Sequence, residues 1–186
     1  MVLSDDGSIL AGTNGGLAVI KDGKIIKTAT AADGIRNTEF LTVAEGKDGS
    51  VYAGSDGDGI YVISDSGIRH ISRDEGLTSN VIMRIKKDDV HGVYWLVTSN
   101  SIEYLKDGEI HNVTSFPYNN NYDLYFNSSD EAWILSSYGI FTLKASDLLS
   151  NSVKDYRLYT IANGLPYSIT ANSYSVQDDS GMLYIG

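Results

Sequence analysis

Lys47-Asp48-Gly49-Ser50-Val51-Tyr52-Ala53-Gly54-Ser55 is the stretch that decides the fold, because the chain repeats it in altered form along its length. Upstream stands Asp5-Asp6-Gly7-Ser8-Ile9-Leu10-Ala11-Gly12-Thr13. Downstream come His91-Gly92-Val93-Tyr94-Trp95-Leu96-Val97-Thr98 and Ser129-Asp130-Glu131-Ala132-Trp133-Ile134-Leu135-Ser136. The final copy, Asp179-Ser180-Gly181-Met182-Leu183-Tyr184-Ile185-Gly186, reaches the last residue. With Ile9, Val51, Tyr94, Ala132 and Leu183 as equivalents, the steps are 42, 43, 38 and 51 residues. A period near this length, carried by short apolar strands between turns, predicts the blades of a β-propeller.

Each part of the repeat has a physical task. The acidic-Gly pair opens it, and Gly accepts the positive φ of a tight turn. Four strand formers follow, with an aromatic in second place (Tyr52, Trp95, Trp133 and Tyr184) except where Leu10 stands. A short apolar run without alternation suits a strand buried on both faces, as between neighbouring blades. Gly12, Gly54 and Gly186 then let backbones approach closely.

The flanking sequence divides into units of 1–36, 37–79, 80–117, 118–166 and 167–186. The second and third read as complete, with first strands near Phe40–Ala44 and Val81–Ile85. Asp22-Gly23 and Asp107-Gly108, each between apolar strands, are type I′ hairpin turns. The first unit reads as a blade without its first strand, and the last supplies only two strands. In the fourth, Ala145–Asp155 stretches the outer hairpin and holds one helical turn. Apolar residues three apart in the first strands (Phe40 and Val43, Ile82 and Ile85, Tyr122 and Tyr125) have a helical spacing, but six residues are too few for a stable helix. The expectation is an all-β chain: a partial β-propeller of four-stranded antiparallel blades, about three full and two partial.

Composition removes several functions. A net charge of −10 disfavours nucleic acid and anionic membrane surfaces as partners. The absence of cysteine excludes disulfides, thiolate zinc sites and thiol nucleophiles. No run approaches the length of a membrane helix, and Met1–Asp5 lacks the features of a signal peptide. Asp56-Gly57-Asp58-Gly59 has the look of a calcium loop start, but it occupies a hairpin and no glutamate stands at the twelfth position. His70, His91 and His111 are read as solvated surface residues, with no pair spaced to bind metal. The acidic pairs Asp5-Asp6, Asp88-Asp89 and Asp178-Asp179 recur at one repeat position, which points to turns rather than to a general acid. No catalytic, cofactor or metal residue is therefore assigned, and no cofactor is expected.

Asp74-Glu75-Gly76-Leu77-Thr78-Ser79-Asn80, followed by an apolar strand, an acidic-Gly turn, an aromatic-Leu/Ile strand and an Asp-Gly turn, resembles the two-component regulator propeller repeat. Ser115-Phe116-Pro117-Tyr118, without Gly-Leu, and Leu10 depart from it locally. The resemblance implies the extracellular or periplasmic sensor region of a bacterial membrane receptor, cut mid-blade at both ends. A histidine kinase or diguanylate cyclase output domain would then lie outside the chain. It implies a non-catalytic module that binds a small molecule, an oligosaccharide or another receptor subunit, without direct membrane contact. The irregular loops Arg36-Asn37 and Pro117–Asn121 are the candidate ligand contacts, though the ligand-binding residues themselves stay unknown. Open blade edges suggest self-association. The alternative is part of a propeller enzyme acting on glycans.

Overall fold

The computed structural model describes residues 1–117, 119–170, 173–178 and 180–186. Apart from one short helix and three 3-10 turns, its regular structure is strand. The first blade comprises β1 (Val2–Leu3), β2 (Ile9–Thr13), β3 (Gly16–Lys21) and β4 (Lys24–Ala29). The second holds β5 (Phe40–Glu45), β6 (Val51–Ser55), β7 (Ile60–Ser64) and β8 (Gly67–Ile71), and the third β9 (Ile82–Asp88), β10 (Val93–Thr98), β11 (Ile102–Lys106) and β12 (Glu109–Asn112). The fourth holds β13 (Asn121–Phe126), β14 (Glu131–Ser136), β15 (Gly139–Lys144), the helix α1 (Ala145–Leu149) and β16 (Arg157–Tyr159). A fifth, two-stranded blade consists of β17 (Ser175–Gln177) and β18 (Leu183–Ile185). Within each sheet the strands follow chain order and pair antiparallel, so the all-β propeller arc read from the repeat is the fold.

The first blade is fuller than its sequence suggests. Val2 and Leu3 pair with Leu10 and Ile9, a strand too short to show any alternation. Tyr118, Ala171, Asn172 and Asp179 lie outside the described residues. The expected start of the fourth unit, the start of the last repeat copy and half of the Asp178-Asp179 pair fall there.

First strands lie against one another along the arc, β1 on β5, β5 on β9, β9 on β13 and β13 on β17. The second strands of the middle blades, β6, β10 and β14, are largely buried on both faces. Val51 and Ala53 pack toward the first blade, while Tyr52 faces the third. In β10, whose six residues are all buried, Tyr94 and Leu96 face the second blade. Trp95 and Val97 face the fourth. Gly54 is required here, since a Cβ would sit 2.7 Å from Ile82 Cγ2 of the next blade. Gly12 is required likewise, with a Cβ 2.9 Å from that of Phe40.

The helical spacing in the first strands has a plain cause. Phe40 pairs with Ser55 and Thr42 with Gly54, leaving Leu41 as an extra residue. The same shift leaves out Met83 in β9 and Tyr122 in β13. Such a bulge turns residues i and i+3 to one face. The same-face pairs are thus Phe40 with Val43, Ile82 with Ile85, and Asn121 with Leu124. The Tyr122–Tyr125 pairing read from the sequence is one residue out of step, because a polar Asn121 hides the pattern.

The turns follow the sequence closely. Asp22, Gly23, Asp107 and Gly108 all take positive φ, the type I′ requirement. Gly7, Gly49, Gly92 and Gly181 share a left-handed slot before the second strand, and Asp130 fills it in the fourth blade at φ 59°. Between blades, Thr30, Ser72 and Thr160 each cap a 3-10 turn through Asp33, Glu75 and Asn163. Gly34 and Gly76 end the first two turns in left-handed conformation. The next side chains, Ile35 and Leu77, then plug the seams between blades. At the third seam Phe116 is the buried plug, packed against Phe141 at 5.2 Å.

Candidate functional site

The first strands of successive blades carry their axial side chains into one concavity of about 810 Å³. β9 contributes Arg84 and Lys86, β13 contributes Asp123, and Tyr174 and Ser175 come from the fifth blade. Its apolar wall includes Leu41, Val43 and Ile85. Asp123 is almost wholly buried. It accepts from the Ser175 amide at 2.5 Å and the Ser175 hydroxyl at 2.7 Å. Lys86 Nζ lies 3.2 Å from Asp123 Oδ1 and 3.2 Å from Ser175 Oγ. Burial pushes the Lys86 ammonium below its ordinary pKa, with the Asp123 charge opposing that shift. Arg84 Nε stands 3.9 Å from Asp123 Oδ1, and its guanidinium lies over the Tyr174 ring at 5.1 Å. Arg84 and Lys86 thus gather around Asp123, and among the described residues the lining also holds Glu45. At the rim, Lys87 faces Asp89 and Asp5 at 3.5 and 3.8 Å.

The loop residues singled out from the sequence are elsewhere. Arg36 Nη2 and Nε donate to Asp58 at 3.0 and 3.3 Å, and Asp58 also accepts from the Tyr61 hydroxyl. Asn37 Nδ2 donates to the Asp56 carbonyl at 2.6 Å. Arg36 and Asn37 therefore tie the first seam to the Asp56–Gly59 hairpin. In the Pro117–Asn121 loop, Tyr118 is outside the described residues. Asn119 and Asn121 are buried, and Asn119 Oδ1 and both amide atoms of Asn121 have no hydrogen-bond partner. Among the described residues no three His, Asp or Glu side chains group as metal ligands.

The histidines are not simply solvated, which corrects the sequence reading. His70 Nε2 sits 2.5 Å from the Asp58 carbonyl and its ring packs on Tyr61 at 4.9 Å. His111 stacks on Tyr104 at 4.7 Å. His91 lies between Asp88 and Asp130. Each is half-buried because a partner from its own or the next blade covers the ring. The repeat aromatics also do more than fill the core. Trp95 Nε1 donates to Asp88 at 2.8 Å, Trp133 Nε1 to Glu131 at 3.0 Å and Tyr184 Oη to Asp178 at 3.0 Å. The axial cluster escaped sequence reading because its residues lie some 90 positions apart, Arg84 to Tyr174. Only the alignment of first strands brings them together.

No family model and no curated protein sequence matches the chain. Solved structures do. The extracellular domain of a protein assigned to a hybrid two-component system of B. thetaiotaomicron superposes at TM-score 0.80 with 20% identity, over 98% of this chain and 25% of that one. A second such domain from the same organism gives TM-score 0.73 at 15% identity, over 100% and 25%. Virginiamycin B lyase from Staphylococcus aureus, an enzyme solved in an inactive form with quinupristin, gives 0.68 at 16% identity, over 99% and 61%. At these identities the likeness is one of fold. The chain spans about a quarter of the two extracellular domains, and no described helix is long and apolar enough to cross a membrane.

Proposed function

We propose that the chain is a non-catalytic sensing segment of an extracellular receptor region, and that its axial concavity receives a small ligand carrying negative charge. One observation carries the reading: Arg84 and Lys86 lie beside the buried Asp123 in a concavity of about 810 Å³ whose lining also holds Lys87, Asp5, Glu45 and Asp89. Concave sites of this size suit a mono- or disaccharide-sized molecule. An arriving anion would offset the burial that lowers the Lys86 pKa, and the Tyr174 ring beside Arg84 offers a flat apolar surface to a sugar or an acyl group. The fold neighbours assigned to two-component systems support this setting, and a histidine kinase or diguanylate cyclase output belongs to the same proposal. Tyr174, Val176, Met182 and Tyr184 of the fifth blade are exposed, and a partner subunit or second copy would meet the molecule there.

Thermal-shift and calorimetric titration with carboxylated, sulfated and neutral oligosaccharides tests the reading. Saturable stabilisation by an anionic member is expected, weakened about tenfold or more in Lys86→Met, since hydrogen bonds to charged groups contribute on the order of 1.5–3 kcal/mol. A flat response across the panel, or binding indifferent to Lys86, overturns it.

A further inference from the structure

The seam between the third and fourth blades holds an imidazole with a carboxylate on each nitrogen. His91 Nδ1 lies 2.7 Å from Asp88 Oδ2, at the end of β9 in its own blade. His91 Nε2 lies 3.3 Å from Asp130 Oδ2, in the turn between β13 and β14 of the next blade. Ionised carboxylates only accept hydrogen bonds, and a neutral imidazole has one N–H to give. The Nδ1 contact is a hydrogen bond and the Nε2 contact an ion pair, and the two are favourable together when the ring carries two protons. We propose that protonated His91 is a latch joining the rim turns of the third and fourth blades, closed as imidazolium and released on one side when the ring loses a proton.

The surroundings are built to hold that state. Asp88 is fixed by the Trp95 indole at 2.8 Å and by the His91 amide at 3.1 Å, so it stays in place as an acceptor. Asp130 holds the left-handed slot that Gly fills in other blades, and its carbonyl accepts from the Ala145 amide at the start of α1 at 3.1 Å. Phe126 stands 6.5 Å from the ring and 5.3 Å from Trp95. The other charges nearby are Asp89, ion-paired with Lys87, and Lys47 of the second blade, whose Nζ reaches toward Gly92. Glu131 turns instead toward Trp133 and Asn127.

Burial alone would lower the His91 pKa, yet the bond and charge of Asp88, joined by Asp130, raise it overall. Burial likewise opposes the charge on Asp88, while its bonds from Trp95 and His91 hold its carboxyl below the ordinary range. The signs fix the window. A raised histidine gives its full contribution below the ordinary imidazole pKa and loses it as pH climbs through the folded value. A lowered aspartate loses its contribution only as pH falls through its own depressed value. The latch therefore opens on the alkaline side. It gives the molecule a response to external pH that is separate from the axial concavity.

The test is a nitrogen-proton correlation titration of the His91 ring in the full chain, from about pH 5 to about pH 9, with amide exchange of residues 88–92 and 127–131 corrected for base catalysis. A midpoint above the ordinary imidazole value is expected, falling by roughly half a unit or more in Asp130→Asn. Protection of both turns is expected to fall about threefold or more through that midpoint in the wild type. In His91→Gln, whose amide does not titrate, protection stays flat across the range. A single neutral tautomer throughout, a midpoint at or below the ordinary value, or wild-type protection as flat as that of the variant overturns the latch.

Discussion

The second and third blades meet differently from the third and fourth, although both seams use the same backbone. At the earlier seam Leu77 is the plug, and the Thr78 amide behind it donates to Glu103 Oε1 at 3.0 Å. The first-strand slot there is apolar Ile82, seated on Gly54. At the later seam Phe116 is the plug, and Pro117 follows with no N–H to satisfy. The slot equivalent to Glu103 is accordingly apolar, Phe141, while the slot equivalent to Ile82 is polar Asn121. Polarity has changed places across the seam. A repeated backbone sets which groups need a partner, and Pro117, without an N–H, removes the need that Glu103 meets at the earlier seam.

Removing the plugs disturbs this contrast most. Leu77→Ala and Phe116→Ala are each expected to destabilise the chain by about 2–5 kcal/mol, with Phe116 toward the upper end because an aromatic leaves the larger cavity. Denaturant midpoints measure both, and a loss well below 1 kcal/mol at either would remove that residue from the seam.

Next comes Asn121→Ile, which gives the later seam the residue of the earlier one. Both amide atoms of Asn121 are buried without partners, and such groups cost about 1–3 kcal/mol each. The variant is expected to unfold later than wild type. If it is less stable, those atoms have partners in solution, ordered water among them.

The smallest change is a slope. Burial raises the Glu103 pKa against hydrogen bonds from Thr78 and Ser101, so the folded chain keeps a proton that the unfolded chain gives up first. Stability from this group is full below the ordinary glutamate pKa and declines as pH rises toward the folded value. Glu103→Gln should therefore melt increasingly above wild type as pH climbs through that interval. Parallel melting curves at every pH would mean that Glu103 ionises as an ordinary surface acid.

Most of the architecture was legible because the repeat states it in residue types with one meaning. Asp107-Gly108 can only be a left-handed turn between strands, and Gly54 announces a close contact. Less was legible where one backbone role accepts several residues. Phe116 in place of Gly-Leu reads as a departure, yet it performs the standard task, as Asp130 does in a slot that Gly fills elsewhere. The axial cluster and the His91–Asp130 contact were hidden for another reason. They join residues from different blades, and sequence spacing within a blade carries no record of what the neighbour presents.

The insertion in the fourth blade shows where such a chain tolerates growth. Residues 145–155 extend the outer hairpin, α1 folds back to bury Ala145 and Leu148, and β16 still pairs with β15. The following unit resumes its β-hairpin without displacing the first strands at the axis. The outer hairpin of the fourth blade is thus a graft site: sequence added there lengthens the spoke and leaves the hub unaltered.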